Sequence, residues 1–377
     1  MTFRDVFEKY WCPISPDIKP PQKDNGLVNI FDNLLTGWRY YFITLALLSL
    51  SLLSSFRIYF VSFGLLLIVS LSIHWLWGWA ELPFLGSNLP MVAGSFVVNS
   101  LTTRFIYLLA GLSGVDLLAW SGVGWYENSE VNAAIASEWL SISPLTCIAI
   151  ILVSLCFAFI VGGFAGWLIV RPGLGRGKVF VAIISYVLVD AGFAFLTGLG
   201  GGYDVVFIPD LFVFAGENGL LALSGIVLAV VFIGLYGYNQ LRGSRFGLDV
   251  KSKADVSVLG RAVFLGCGLI GVAGCLLSIY HEYMYQGNFL GIMWGYWPLL
   301  VFLIAGSRGG SRLFLGVFVL MALQYLIRES QVFLRSYLFF PVAYMFQLET
   351  GLVILLSCFY YLKKVQTQKN DSFREAG

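Results

Sequence analysis

Long apolar runs separated by short polar segments dominate the chain from residue 40 onward. They fall at 40–56, 58–79, 91–110, 145–170, 179–197, 219–238, 256–280, 291–305, 313–327 and 337–362. Most have the length, roughly 17–25 residues, that carries a helix across about 30 Å of hydrocarbon. The runs at 291–305 and 313–327 are short and fit a tilted pair or a broken hairpin. The pattern predicts an all-α, polytopic helical bundle of about ten transmembrane helices. The first 39 residues are polar and contain Pro13, Pro16, Pro20 and Pro21. They show no apolar core behind a basic start, so no cleavable signal peptide is expected. They read as a cytoplasmic extension with an interfacial helix around 26–38. Trp75, Trp77 and Trp79 crowd one helix end, and Trp294 and Trp297 begin another, as in an aromatic belt at the membrane interface.

Composition agrees with this pattern. Hydrophobic residues make up 58% of the 377 and charged residues 12%, against roughly 45–50% and about 25% in soluble domains. So little charge cannot cover a water-soluble globule of this size. Disorder, coiled coil and nucleic-acid binding are excluded, and a net charge of +2 is no electrostatic signal for a partner. The six cysteines stand far apart with no Cys-x-x-Cys pair, so they read as small buried hydrophobes and not as ligands or disulfides. With two histidines, His74 and His281, haem-based electron transfer is not expected. Neither a metal nor any other cofactor is expected.

The loops alternate in charge. Arg171, Arg176 and Lys178 share one loop, Arg242, Arg245, Lys251 and Lys253 a second, Arg308 and Arg312 a third, and Lys363, Lys364, Lys369 and Arg374 the tail. Between them, 111–144 has no Lys or Arg but carries Asp116, Glu127, Glu130 and Glu138. The segment 198–218 likewise carries only Asp204, Asp210 and Glu217. Basic loops are retained in the cytoplasm, so the reading places both termini in the cytoplasm and the acidic segments outside. Arg57, Arg328 and Arg335 run against this alternation. The organisation read from these segments is an extension at 1–39, a transmembrane hairpin at 40–90, a larger membrane domain at 91–362 and a tail at 363–377.

Clustered glycines and rare intramembrane polar groups supply the candidate chemistry. Gly111, Gly114, Gly122 and Gly124 interrupt one apolar run, and Gly198, Gly200, Gly201 and Gly202 end another. Each cluster is read either as unwound backbone lining a wet cavity or as an ordinary turn. Asn99 and Arg104 lie in the third run, Asp190 in the fifth and Asp116 in the glycine-broken stretch. Such groups are functional candidates because holding them in a membrane costs several kcal/mol. Arg104 and Asp190 also suit a structural pair across two helices. No Gly-x-Ser-x-Gly, phosphate-binding loop or metal-ligand spacing appears, so no catalytic residue is assigned.

From about Ser95 to Leu362 the order of motifs resembles the permease subunits of ABC importers for branched-chain amino acids, a group that includes urea and other amide importers. Ala110-Gly111 followed by Gly122-Val123-Gly124-Trp125-Tyr126 resembles the family's Ala-Gly…Gly-Ile-Gly-x-Tyr segment. Arg176-Gly177 stands before Phe180-x-Ala182-Ile183, with Asp190 beyond. Thr197-x-x-Gly200-Gly201 with Asp204 and Ile208-Pro209 looks like its outer loop. Ser244-Arg245-Phe246-Gly247 looks like its cytoplasmic turn, and Gly271-Val272-Ala273-Gly274 and Gly306-x-x-Gly309-Gly310 like two further glycine motifs. The chain departs from the family in two places. Leu112, Ser113 and Gly114-Val115-Asp116 replace a polar stretch, and the loop after Phe246-Gly247 is shortened.

The resemblance implies a transport subunit and not an enzyme. A paralogous permease would stand beside it, cytoplasmic ATPase subunits would hydrolyse ATP below it, and an extracytoplasmic solute-binding protein would deliver a small amino acid or amide above it. Asn99, Arg104, Gly111, Asp116, Gly122, Gly124 and Asp190 are the expected pathway residues. Arg242, Arg245, Phe246 and Gly247 are the expected ATPase-coupling residues, with Phe246 an exposed anchor, and Gly200, Gly201 and Asp204 belong to an outer loop. A lipid-modifying membrane transferase and an ion-coupled secondary transporter are the competing classes. The first needs a His/Asp/Glu cluster at one interface, for which only His74 and His281-Glu282 offer themselves. The second needs internal repeats and buried acids, which are scarce.

Overall fold

A computed structural model describes residues 57–118, 127–174, 181, 183–185, 205–252, 255–285, 297–305, 311–329 and 351. Helix α1, Arg57–Ile73, continues into a π-helical turn, His74–Trp79. Helix α2, Asn88–Phe96, passes through a second π-helical turn, Val97–Thr102, into α3, Thr103–Leu112. Helix α4, Ser129–Ser141, lies across one end before α5, Pro144–Val170. Strand β1, Val205–Phe207, and a 3₁₀ turn, Val213–Asn218, precede α6, Gly219–Gly243. The short helix α7, Arg245–Ser252, leads into α8, Val256–His281. Strand β2, Tyr283–Tyr285, pairs antiparallel with β1, and α9, Trp297–Ala305, packs on α10, Ser311–Glu329.

Five helices among the described residues are long and apolar enough to cross a membrane: Tyr59–Trp79, Asn88–Leu112, Pro144–Val170, Val213–Gly243 and Val256–His281. They coincide with five of the ten predicted runs, and the molecule is an all-α polytopic membrane protein. The runs at 40–56 and 337–362 lie outside the described residues except for 351, and 179–197 is described only at 181 and 183–185. Helices α9 and α10 fall on the two short runs.

The core is built where small residues let backbones touch. Helix α5 turns large side chains outward, with Ile148, Leu152, Phe164 and Leu168 exposed, and small ones inward, with Ala158, Gly162, Gly163 and Gly166 buried. A Cβ added to Gly162 would lie 2.7 Å from the Gly271 Cα of α8, and one on Gly268 would lie 2.8 Å from the Phe159 ring. One on Gly94 of α2 would strike the Gly271 carbonyl, and one on Gly274 the Met91 carbonyl. Close backbone approach of this kind replaces the hydrophobic effect as the drive for association in lipid. Within the spans, α8 and α1 are 83% buried, against 33% for α5 and α6. The first pair therefore forms the centre, and the second carries the outward faces.

The contacts fix the relative directions. Gly94 meets Gly271 where α2 crosses α8, while Pro90 lies beside Gly166 and Thr102 bonds Ser154, so α2 is antiparallel to α5 and thereby parallel to α8. Ala158 and Gly162 meet Gly271, Cys267 meets Gly166, and Gly260 meets Trp167, so α5 is antiparallel to α8. Gly64 meets Val227, Gly234 meets Leu71 and His74 bonds Tyr238, so α1 and α6 are parallel. The result is one end carrying Arg171, Arg242, Arg245 and Lys251, and an opposite end carrying Asp116, Glu127, Glu130, Glu138, Asp210, Glu217 and Glu282. At the acidic end, the Asp210 N–H donates to Ser137 Oγ at 2.8 Å and the Ile208 N–H to the Glu282 carbonyl at 2.8 Å. These bonds tie α4 and both strands together.

Candidate functional site

Halfway along the span Asn88–Leu112 the backbone widens into the π-helical turn Val97–Thr102. Asn99 stands about 16 Å from the start of the span at 1.5 Å per residue, near the middle of the hydrocarbon. A polar belt surrounds it. Thr102 Oγ1 and Ser154 Oγ share a hydrogen bond of 2.8 Å, Thr103 Oγ1 donates to the Val98 carbonyl at 2.8 Å, and Ser95 bonds Ser278. Asn99 is 4% exposed, and its Oδ1 has no hydrogen-bond partner among the described residues, nor has Ser100 Oγ. Buried polar atoms are almost always paired, and π turns within α-helices collect at functional sites. The turn is therefore the best-marked site within the spans.

Sequence reasoning found Asn99 but not Ser95, Ser100, Thr102, Ser154 and Ser278. Ser and Thr are common in membrane helices because they bond their own backbone, as Ser154 Oγ does to the Ile150 carbonyl at 2.7 Å. Only the tertiary arrangement distinguishes this belt from ordinary back-bonding. On the outer side, α3 and α5 enclose an apolar groove of about 760 Å³ lined by Leu101, Phe105, Val153 and Phe157, with Thr102 and Ser154 also on its wall. Arg104 is exposed beside Phe105, not buried beside Asn99.

As far as Leu118 the glycine-broken stretch takes the second of its two readings, an ordinary turn. Gly111 is still helical, and Gly114, with φ +84°, turns the chain after α3. The Ser113 and Gly114 N–H groups bond back to the last carbonyls of the helix. Asn132 then brackets Leu118, accepting its N–H at 2.8 Å and donating to its carbonyl at 2.5 Å. Asp116 is exposed in this turn at the acidic end and not held inside the bundle. A left-handed glycine ends a helix cheaply, and no described residue lies within 4 Å of a Cβ added to Gly111 or Gly114. Gly122, Gly124, Asp190, Gly200, Gly201 and Asp204 lie outside the described residues. At the same end Glu282 caps α8 with φ +57°. Partial burial, then the nearby Asp210 charge, push its carboxyl above the usual range.

The basic end corrects the picture of Phe246. It is 6% exposed and stacks on Trp75, with ring centroids 6.3 Å apart and planes at 26°. Truncating a buried Phe typically costs about 3–5 kcal/mol, so this side chain serves the fold of its own subunit. Ser244-Arg245-Phe246-Gly247 is the elbow between α6 and α7. Ser244 leaves the helical region at ψ 164°, donates its hydroxyl to the Leu241 carbonyl at 2.7 Å, and accepts the Gly247 N–H at 3.2 Å. That is a serine N-cap. A Cβ on Gly247 would strike the Leu241 carbonyl, so glycine is required there. Arg245 and Leu248 are exposed on α7, while Arg242 lies over the Trp79 ring.

The tryptophan cluster is also not the expected belt. Trp75 Nε1 donates to the Ala262 carbonyl at 3.0 Å, Trp77 Nε1 to the Phe84 carbonyl at 3.0 Å and Trp79 Nε1 to the Gly247 carbonyl at 2.8 Å. Each indole N–H finds a backbone acceptor in the protein, as a buried donor must. Among the described residues no three His, Cys, Asp or Glu side chains gather as metal ligands.

No family model matches the sequence, and no solved structure matches it. Among curated proteins it is similar to the probable branched-chain amino acid transport permease protein LivM of Methanocaldococcus jannaschii. The two are 25% identical over 266 residues, covering 66% of this chain and 74% of that protein. The chain is thus similar to one such permease over about two thirds of its length, and five of its described helices are long and apolar enough to cross a membrane.

Proposed function

We propose that this chain is the permease subunit of an ABC-type importer that moves small amino acids or related amides across the cytoplasmic membrane. The similarity to a branched-chain amino acid transport permease over two thirds of the chain carries this reading. The polar π turn at mid-span supports transport over anchoring, since a passive anchor has no use for an unsatisfied amide at that depth. In this assignment 91–362 is the permease domain, 40–90 an additional hairpin, and 1–39 and 363–377 are cytoplasmic. Solute passes along Val97–Thr102 and reaches it from the acidic end, where a solute-binding protein docks. A paralogous permease completes the pathway, and ATPase subunits bind at α7. The chain itself performs no bond chemistry.

Purification in mild detergent tests the assembly. The chain is expected to bring with it a paralogous permease and a nucleotide-hydrolysing subunit. Arg245→Glu combined with Leu248→Asp, on the exposed face of α7, is expected to weaken ATPase association by roughly tenfold or more, with thermal stability unchanged. A chain that purifies alone and supports no nucleotide hydrolysis refutes the ABC assignment. Orientation is tested separately. A cysteine at Glu130 is expected to react with an impermeant reagent from outside the cell and one at Ser252 only after the membrane is opened. The opposite pattern inverts the map.

A further inference from the structure

We infer that Trp79 is a positioning residue for α7, a latch by which the helix preceding the permease-like region holds the loop helix in place. The inference rests on the proposed role of α7 as the ATPase-facing element. It adds a component from residues that precede the stretch, beginning near Ser95, in which the sequence resembles known permeases.

A helix of eight residues is marginal by itself, because few hydrogen bonds offset the cost of nucleation. Something must hold α7 in place, and the contacts show what does. Phe246, Gly247 and Val250 form its buried face. Trp75 and Trp79, four residues apart in one π turn, meet that face. Trp75 stacks on Phe246, and Trp79 donates its N–H to the Gly247 carbonyl at 2.8 Å. The same Trp79 ring receives the Arg242 guanidinium 4.7 Å and the Lys251 ammonium 5.1 Å from its centroid. Arg242 closes α6 and Lys251 lies in the last turn of α7, so one indole joins both arms of the elbow. Cation–π contacts strengthen as the ring is shielded from water, and Trp79 is partly buried. The other end of the π turn is tied down as well, since His74 and the Tyr238 hydroxyl of α6 share a hydrogen bond of 2.7 Å. A push on α7 therefore reaches α1 and, through the Trp75 bond to Ala262, α8. The latch supplies the rigidity that so short a helix lacks by itself. Arg242 and Lys251 are spent on it, which leaves Arg245, Leu248 and Ser252 turned outward.

Limited trypsinolysis of the full chain in detergent tests the latch without any partner, since Arg242, Arg245 and Lys251 are themselves cleavage sites. Trp79→Ala is expected to raise nicking within 242–251 by about tenfold or more, the loss of one hydrogen bond and two cation–π contacts. Trp79→Phe keeps the ring and loses the N–H, so its nicking rate should fall between. Trp77→Phe alters the same π turn without touching α7 and should nick like the native chain. In reconstituted vesicles Trp79→Ala should lower solute taken up per ATP hydrolysed while the melting temperature barely moves. Unchanged nicking in Trp79→Ala, or equal nicking in Trp77→Phe, overturns the latch. If Trp79→Ala fails to fold, Trp79→Phe decides, and a native nicking rate and coupling ratio there overturn it too. A native chain that recruits no ATPase defeats the proposed function, while the nicking series still judges the latch.

Discussion

Gly271→Val is expected to leave almost no folded protein in the membrane fraction. Gly271 stands where α2, α5 and α8 meet. A Cβ there strikes the Ala158 carbonyl and lies 2.9 Å from the Gly162 Cα, while the Gly271 carbonyl fills the space above Gly94. The obstacles are backbone atoms, which no rotamer change removes, so at least one helix must move outward along its length. Overpacking a well-packed core costs about 1–3 kcal/mol when side chains yield. Where they cannot, the cost rises beyond that, against a total stability of roughly 5–15 kcal/mol. Separating α2 from α8 also breaks the Ser95–Ser278 hydrogen bond. Gly225→Ala is the matched control, because no described residue lies within 4 Å of its added methyl. Helix propensity should then stabilise that variant by up to about 1 kcal/mol. Detergent-extracted protein, measured by size-exclusion profile and melting temperature, checks both. A monodisperse Gly271→Val protein with native melting would mean that the three helices do not touch as described.

Asn99→Leu is expected to act with opposite signs on stability and transport. The Asn99 amide is buried with its Oδ1 unpaired, and leaving a buried acceptor unsatisfied costs about 1–3 kcal/mol. Leucine has the same branching at Cγ and no polar atom, so the fold should gain roughly 1 kcal/mol or stay level. Uptake should fall at least about tenfold, because a solute or its water then meets an apolar wall at mid-depth. Asn99→Gln retains the amide and should keep part of the activity. Uptake by reconstituted vesicles and the melting temperature of the same preparations separate the two effects. A destabilised Asn99→Leu with normal specific uptake would identify Asn99 as a structural amide and remove the π turn from the pathway.

The positions of the five described spans were legible because a bilayer imposes a one-dimensional rule. A helix that crosses it needs a minimum length of apolar residues, whatever its neighbours. The alternation of charge was legible for a similar reason, since loop charge is sorted by side and not by contact. The structure gathers Arg171, Arg242, Arg245 and Lys251 at one end and Glu130, Asp210 and Glu282 at the other, as the loops predicted. Asn99 also stood out unaided, as a polar residue inside an apolar run.

What packs against what was not legible. A transmembrane helix is apolar all round, so hydropathy does not say which side of α5 meets Gly271 and which meets lipid. That choice lies in small residues whose value depends on a partner helix. Phe246 reads as exposed because it stands between arginine and glycine in a basic loop, and only its stacking on Trp75, some 170 residues away, shows it buried. Trp75 and Trp79 read as an interface belt for the same reason, until the Ala262 and Gly247 carbonyls come within reach of their N–H groups. The two π turns have no mark in composition, since they arise where neighbouring helices hold one extra residue in a turn. The sequence by itself determined a polytopic membrane chain, where its described spans lie and how its charge is divided between two ends, because the bilayer selects for length, hydropathy and charge residue by residue. Only the tertiary structure decided which polar groups are buried at mid-depth and which aromatics clasp α7, because both are contacts between residues far apart in the chain.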